Sequence, residues 1–563
     1  MDLFFKKALA TLPDDIKSNA ITKKLCEEVD RIKNGGQVDS GVFNDIKNVE
    51  RLTPQYASLE YGYKSNLGDY RFLFMALRAF RGFNAINEDD YYGLTMGKYN
   101  AKDTINPISM VILGANGSGK TSLYSAIELL TLGDVSVAIK RQYIETGLLH
   151  DFLQNIKSKE ELKAVLCTCS SYSESDFLKP LEGIIDEFDC SAFFCSESDV
   201  NIFEMDGGNI ERYIDDLLGL DEIDMAISII NIANIKLREK YESFLAEQKN
   251  LSASLIDETN KAKEIEDLLN GLKDYELSLS EPLLPFDSTG RAEYREEKRN
   301  IMRLINDTAQ KLDIANAEIK KIQDILDGNP SDYLKTAMDT LNTIKICIQT
   351  SKTKLKCDIM PSVEELLWEI FSNHLDENEG ICFNHKKVSY MENEEEKIAY
   401  IMDGLLMSEN TGKEIDPRLY FNNFRFKLYI TSLRAAIAIH LMKHHDMCFP
   451  LVFDDVFDSS DFRNRTLIKD FIKSIALTYD RVIGKNKKDK LQIIFFTQDE
   501  MLASGVFDGL HKSKNPAKMV RLFSKKDSDQ DDDIYLEKIK GLPEAKGGRI
   551  NKYRNLYDTI KEV

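Results

Sequence analysis

The stretch Ile108-Ser-Met-Val-Ile-Leu-Gly-Ala-Asn-Gly-Ser-Gly-Lys-Thr121 decides how this chain is read. Ile108 to Leu113 is a short, continuous apolar run of the length of a buried strand. It leads directly into a glycine-rich turn. Ser122-Leu-Tyr-Ser-Ala-Ile-Glu-Leu-Leu130 then follows with helical spacing. Strand, turn and helix in that order form one βα unit. Gly114 to Thr121 match the pattern GxxxxGK[ST], in which glycines let backbone N–H groups turn inward around phosphate oxygens. The following helix adds the positive end of its dipole. Gly114, Asn116, Gly117, Ser118 and Gly119 are therefore the expected phosphate cradle. Lys120 is expected on the β- and γ-phosphates of a nucleoside triphosphate, and the Thr121 hydroxyl on Mg²⁺.

The second signal is Phe449-Pro-Leu-Val-Phe-Asp-Asp-Val-Phe-Asp458. A buried apolar strand that ends in two adjacent acids presents carboxylates at the carboxyl edge of a sheet, where α/β proteins bind ligands. Asp454 is expected to hold the Mg²⁺ and Asp455 to activate or orient the attacking water. A third apolar run, Leu491-Gln-Ile-Ile-Phe-Phe496, has strand length as well. Arg71 to Phe80 reads as one or two buried strands, and Ile16 to Ile32 as a helix. Lys525 to Asp533 reads as a charged, solvated loop.

Between these α/β parts the periodicity changes. Leu237, Tyr241, Phe244, Gln248, Leu251, Leu255, Glu258, Ala262, Ile265, Leu269 and Leu272 recur at spacings of three and four. Tyr294, Ile301, Ile305, Thr308, Leu312, Ala315, Ile319, Ile322 and Leu326 do the same. Two Pro and a Gly interrupt the pattern between Ser280 and Gly290, and such residues break helices. The expectation is an antiparallel coiled-coil hairpin that projects as an arm. Another helical stretch then runs to about Asn373, followed by a mixed region with short strands. The expected division is an N-terminal helical extension over 1–68, an N-terminal lobe over 69–221, a helical arm over 222–375 and a C-terminal lobe over 376–563.

Composition narrows the classes. In 563 residues, 74 Lys and Arg face 94 Asp and Glu, a net charge of −20, which argues against coating nucleic acid over the whole surface. No apolar run reaches the roughly 18–20 residues of a membrane span, so no membrane role is expected. The start, MDLFFKKALATLPDD, is too charged for a signal peptide. Nine Cys form no CxxC pair, which fits a reducing cytoplasm. His444-His445-Asp446 read as the end of a helix. The basic run Lys485 to Lys490 reads as a solvated loop.

The loop with Asn116 and the sequence Val452-Phe-Asp-Asp-Val-Phe-Asp-Ser-Ser-Asp461 resemble ABC-type ATPases of the SMC/RecF/RecN class. The resemblance implies an α/β head assembled from both ends of the chain and interrupted by a coiled-coil arm. It also implies a homodimer or higher oligomer with ATP sandwiched between heads. Ser459 and Asp461 then look like the loop that crosses the interface. Phe421-Asn-Asn-Phe-Arg425 stands where the family's signature lies, with Asn422 in place of Ser and Arg425 or Lys427 adding charge. A helix start capped by Asn422 or Asn423 is the other reading of that stretch. Phe193 to Asp199 resemble the strand before the family's Gln loop, with Ser196 or Glu197 at the Gln. Phe495-Phe-Thr-Gln-Asp499 resemble the switch strand, with Gln498 in place of His. Gln can sense a γ-phosphate but cannot take a proton, which implies slow or partner-gated hydrolysis.

A compact, CxxC-free arm and the unusual signature look like the Septu-type ATPases of antiphage systems, including the retron-associated version. That resemblance implies a sensor or regulatory subunit beside a separate nuclease effector. It also leaves open contact with DNA, or with the RNA/DNA of a retron. A DNA-repair or chromosome-maintenance ATPase of the RecF/RecN type is an alternative. An ATP-locked scaffold that holds a nuclease inactive is another.

Overall fold

The computed structural model describes residues 19–33, 68–85, 91–99, 105–133, 135–136, 146–169, 172–174, 191–197, 199, 210–279, 288–327, 331–377, 379–392, 395–409, 414–457, 467–484, 490–527, 530–540, 548–549 and 551–553. A seven-stranded sheet forms the centre, in the order Gly548–Arg549, Gln530–Lys540, Ala517–Asp527, Ser109–Gly114, Ile493–Thr497, Leu451–Asp454, Phe194–Ser196. The last five of these are parallel to one another. The first two continue the sheet antiparallel. All residues of Ser109–Gly114 and Ile493–Thr497 are buried. That burial is why both strands read as unbroken apolar runs and not as alternating ones. The fold is α/β, built from N- and C-terminal segments.

A second, antiparallel sheet has the order Asn551–Tyr553, Tyr91–Thr95, Phe72–Arg78, Lys163–Thr168, Tyr172–Glu174. The apolar run from Arg71 supplies one strand, buried at all seven positions. Gln492 joins the two sheets. Its side chain is 1% exposed. Phe72 N donates to its Oε1 at 2.7 Å, and its Nε2 donates to Phe72 O at 2.8 Å and Ile108 O at 3.0 Å. One side-chain amide thus satisfies backbone groups of both sheets where no ladder can reach.

The arm begins with the 58-residue helix Asp221–Ser278, about 87 Å long at 1.5 Å per residue. From Tyr241 onward its shielded positions are those of the heptad pattern, while Leu245, Ile256 and Leu268 face outward. The shielded positions of Ser288–Asp327 likewise follow Tyr294, Ile301, Ile305, Thr308, Leu312, Ala315, Ile319, Ile322 and Leu326. Tyr275 donates to Glu297 Oε1 at 2.8 Å, across the antiparallel pair of helices. The polar seam residue Glu258 is held by Lys261 at 2.6 Å.

Not all of 222–375 projects. The helix Ser331–Phe371 lies against the first part of Asp221–Ser278 and against the head. Asn234 donates to Asn342, Lys345 to Asn231 and Lys352 to Asp224, at 2.9, 2.7 and 2.7 Å. Ile359, Met360, Val363, Leu367 and Ile370 of that helix belong to the main core. The projecting part is the pairing of the distal long helix with the 40-residue helix Ser288–Asp327, about 60 Å. Sequence periodicity misses this division because both partners of the long helix present apolar residues at the same spacing.

Two further expectations change. The region after Asn373 holds long strands, Glu379–Glu392 and Glu395–Glu409, paired as a hairpin with a register shift at Asn384/His385. Val388, Tyr390 and Ala399 are partly covered, whereas Lys387, Ser389, Ile398 and Tyr400 are exposed. The shift interrupts the alternation by which the sequence would have shown the strands. Of Lys525 to Asp533, residues 525–527 and 530–533 are strand, where the sequence reads as a solvated loop. The strands Ala517–Asp527 and Gln530–Lys540 run through this stretch, and the register sets Lys525 opposite Asp533. A charge-rich sequence carries no apolar alternation by which such strands could be read. Of the N-terminal helix expected over Ile16 to Ile32, Ala20–Lys33 is described, with Ile21, Leu25 and Val29 buried.

Gln492→Leu keeps the volume near Phe72 but leaves several buried backbone groups without partners. It is expected to cost about 2–4 kcal/mol, read as an earlier urea midpoint. An unchanged midpoint would mean that the sheets are joined by other contacts.

Candidate functional site

The loop Gly114–Thr121 leaves the carboxyl end of its strand and enters the helix Lys120–Leu132. Gly117 and Gly119 have φ of 82° and 99°, in the region that disfavours side chains. At Gly114 a Cβ would lie 2.3 Å from Ser118 Oγ and 2.9 Å from Leu522 O. The loop is therefore closed against the neighbouring strand, and only glycine fits there. Lys120 is 4% exposed and donates to Gly114 O at 2.7 Å, which folds its side chain back over the loop. Thr121, the second residue of the helix, is half-buried.

Leu451–Asp454 reaches the same sheet edge two strands away. Its register sets Asp454 beside Phe496 and Ser196, while Thr497 stands beside Leu113. Asp455 has φ of 51°, and its N–H donates to Phe496 O at 3.1 Å. This left-handed residue, uncommon for a side chain other than Asn or Asp, turns the chain just past the strand. The Asp455 carboxylate is thereby 3.5 Å from Lys120 Nζ. The two distant stretches of sequence meet at this ion pair.

A cleft of about 430 Å³ opens beside the loop, lined by residues that include Asn116, Gly117, Ser118, Gln498, Glu500 and Arg521. Arg521 and Glu500 are ion-paired at its wall. Sequence reasoning missed both. Arg521 belongs to no motif, and only the pairing of Ala517–Asp527 with Ser109–Gly114 brings it there, opposite Leu113.

Behind Asp454 lies a buried polar basin. Ser196 Oγ and N donate to Asp199 Oδ2 at 2.8 and 2.7 Å. Arg434, buried, donates to Ser191 O at 2.8 Å and to Tyr213 Oη at 3.3 Å, and lies 3.7 Å from Asp199. Glu128, on the helix after the loop, accepts from Ser136 N at 3.3 Å. Burial, with added repulsion from Asp199 and Asp454, pushes its carboxyl up to about 8.

The signature-like stretch lies on a different element. Asn422 caps the helix Asn423–His444, accepting from Arg425 N at 2.9 Å. The Arg425 guanidinium is held by Glu379 at 3.0 Å and by Asp376 at 3.0 Å. Lys427, buried on the same helix, is 3.4 Å from Glu197, at the end of Phe194–Ser196. Among the described residues no hydrogen bond or ion pair joins Asn422 or Arg425 to the phosphate loop. Ser459 and Asp461 lie outside the described residues, as do 485–489 of the basic run. Lys443, His444 and the capping His445 end Asn423–His444. Among the described residues no cluster of His, Cys, Asp and Glu is poised for a metal, and no helix is long and apolar enough to cross a membrane.

No protein-family model matches the chain, and no curated protein does. Among solved structures, one match is the crystal structure of the Smc head domain with a coiled coil and joint derived from Pyrococcus yayanosii. It shares 13% identity at a TM-score of 0.28, over 81% of this chain and 95% of that one.

Glu128 gives the site a pH signature. Its carboxyl titrates near 4.5 in an unfolded chain and near 8 in the fold, so the folded state holds an extra proton between those values. Stability should therefore fall as pH rises from about 4.5 to about 8 and then level off. Glu128→Gln should melt higher than the parent at pH 8 and show a smaller gain at pH 5. An equal shift at both pH values would place Glu128 outside the basin's charge balance.

Proposed function

We propose that this chain is an SMC-like, ABC-type ATPase that binds MgATP and hydrolyses it slowly to ADP and phosphate. The observation that supports this most is the 3.5 Å pair between Lys120 and Asp455, which unites the phosphate loop with the acidic strand. The residues present suit the ligand. The loop offers glycines at positive φ and a helix N-terminus, and Thr121 and Asp454 are the groups that would hold Mg²⁺. When bound, Mg²⁺ neutralises charge on the β- and γ-phosphate oxygens.

The Asp455 carboxylate stands 3.5 Å from Lys120, within reach of the cation that would bind phosphate. A triphosphate has more charge and more acceptor atoms, and it would take over the lysine. Asp455 would then accept a hydrogen bond from the attacking water and orient it. Gln498, at the end of Ile493–Thr497, would donate its amide to the γ-phosphate but has no basic atom for the proton. With a single carboxylate for proton transfer, turnover is slow or depends on a partner.

In this proposal two heads close over ATP, with Asn422, Arg425, Ser459 and Asp461 approaching the partner's nucleotide. Arg425 would first leave Glu379 and Asp376. The finer biological reading rests on the sequence resemblance: a sensor or regulatory subunit of an antiphage complex, with a separate nuclease effector and contact with DNA or with retron RNA/DNA.

Lys120→Ala should raise the Kd for ATP by about two orders of magnitude, measured by titration calorimetry. Asp455→Asn should retain ATP binding, lower turnover by about 10²–10⁴ and enlarge the dimer fraction in size-exclusion chromatography with ATP. Hydrolysis by Asp455→Asn at the parent rate would remove Asp455 from the chemistry.

A further inference from the structure

We propose that Arg521 binds the phosphates of the nucleotide from outside the phosphate-loop motif, and that Glu500 masks it until the nucleotide arrives. This rests on the cleft being the nucleotide site. Backbone register sets Arg521 beside the loop. Ala517–Asp527 runs parallel to Ser109–Gly114, with Arg521 opposite Leu113 and Leu522 opposite Gly114. The strand touches the loop itself, since Leu522 O limits what can stand at Gly114. Arg521 therefore keeps a fixed distance from the phosphate cradle. Its side chain lines the same cleft as Asn116, Gly117 and Ser118.

Charge decides the role. Lys120 is the loop's own cation, and Arg521 is a second one at the cleft wall. A guanidinium offers several N–H donors in a planar fork that matches two phosphate oxygens at once. Its present partner is replaceable. The side chains of Arg521 and Glu500 are 41% and 73% exposed, and an ion pair so exposed contributes little. A polyanion in the cleft competes well against one solvated carboxylate.

Glu500 can tolerate the loss. It lies in the first turn of the helix Glu500–Lys512, capped by Asp499, whose side chain accepts from Met501 N and Leu502 N. The helix dipole favours a carboxylate at this end with or without the arginine. Glu500 thus plays the part toward Arg521 that Asp455 plays toward Lys120. Each acid covers a cation until phosphate replaces it.

The test is calorimetric titration of the full chain with MgATP, MgADP and AMP. Arg521→Ala should weaken ATP binding about tenfold, Arg521→Lys less, with AMP least affected. Glu500→Gln should tighten ATP a few-fold. The double variant Arg521→Ala with Glu500→Gln should remain weaker than the parent. Parental affinity in the double variant would show that Arg521 only neutralises Glu500, and would overturn the proposal. So would parental affinity in Arg521→Ala while Lys120→Ala weakens binding by about two orders of magnitude. A parent that binds no ATP at all would instead sink the nucleotide reading itself. Circular dichroism of each variant, expected to match the parent, guards against misfolding as the cause of a loss. An Arg521→Ala protein that loses its fold would make Arg521 structural, and that too overturns the assignment.

Discussion

Parallel pairing of Ser109–Gly114, Ile493–Thr497 and Leu451–Asp454 is the constraint on which the remaining structure depends. These segments are far apart in the chain, and parallel neighbours need crossovers that no tight turn can supply. Their side chains are buried on both faces, so they find a stable place only inside a covered sheet. Once they are side by side, every carboxyl end lies along one edge. The phosphate loop, the paired acids and Thr497-Gln498 are then neighbours without further adjustment. The left-handed turn at Asp455 completes the approach to Lys120.

Around this edge the cations follow a common arrangement. Lys120 faces Asp455, Lys427 faces Glu197, and Arg521 faces Glu500. In a chain with a net charge of −20, carboxylates are plentiful enough to occupy positions where a phosphate would also be attracted. Exposed pairs are weakly held, whereas the pair at buried Lys120 is screened less by water.

The arm joins the head through charge as well as apolar packing. The Asp215 carboxylate lies between Lys352 and Lys356, at 2.7 and 2.9 Å. Burial opposes the charge on nearby Glu211, yet its hydrogen bond from Lys356 and the surrounding lysines hold its carboxyl below the usual range. This cluster links Ile210–Leu217 to Ser331–Phe371 and, through Asp224, to the long helix. Leaving one of the buried charges, Asp215 or Lys356, without a partner would be costly.

Much of this was legible from local pattern. The glycine-rich turn, the apolar run ending in Asp454 and Asp455, and the heptads of the arm each depend on neighbours close in sequence. Backbone freedom, strand burial and a helical seam leave their own periodicities there, and so does the Asn422 cap. Long-range register leaves no such trace. That Arg521 stands by the phosphate loop, that Gln492 bridges two sheets, that Arg425 is held by Glu379, and that the first part of the long helix packs against Ser331–Phe371 and the main core were decided only in the tertiary structure. A contact between distant segments is set by the packing of everything between them, and a single chain read in order carries the elements but not their alignment.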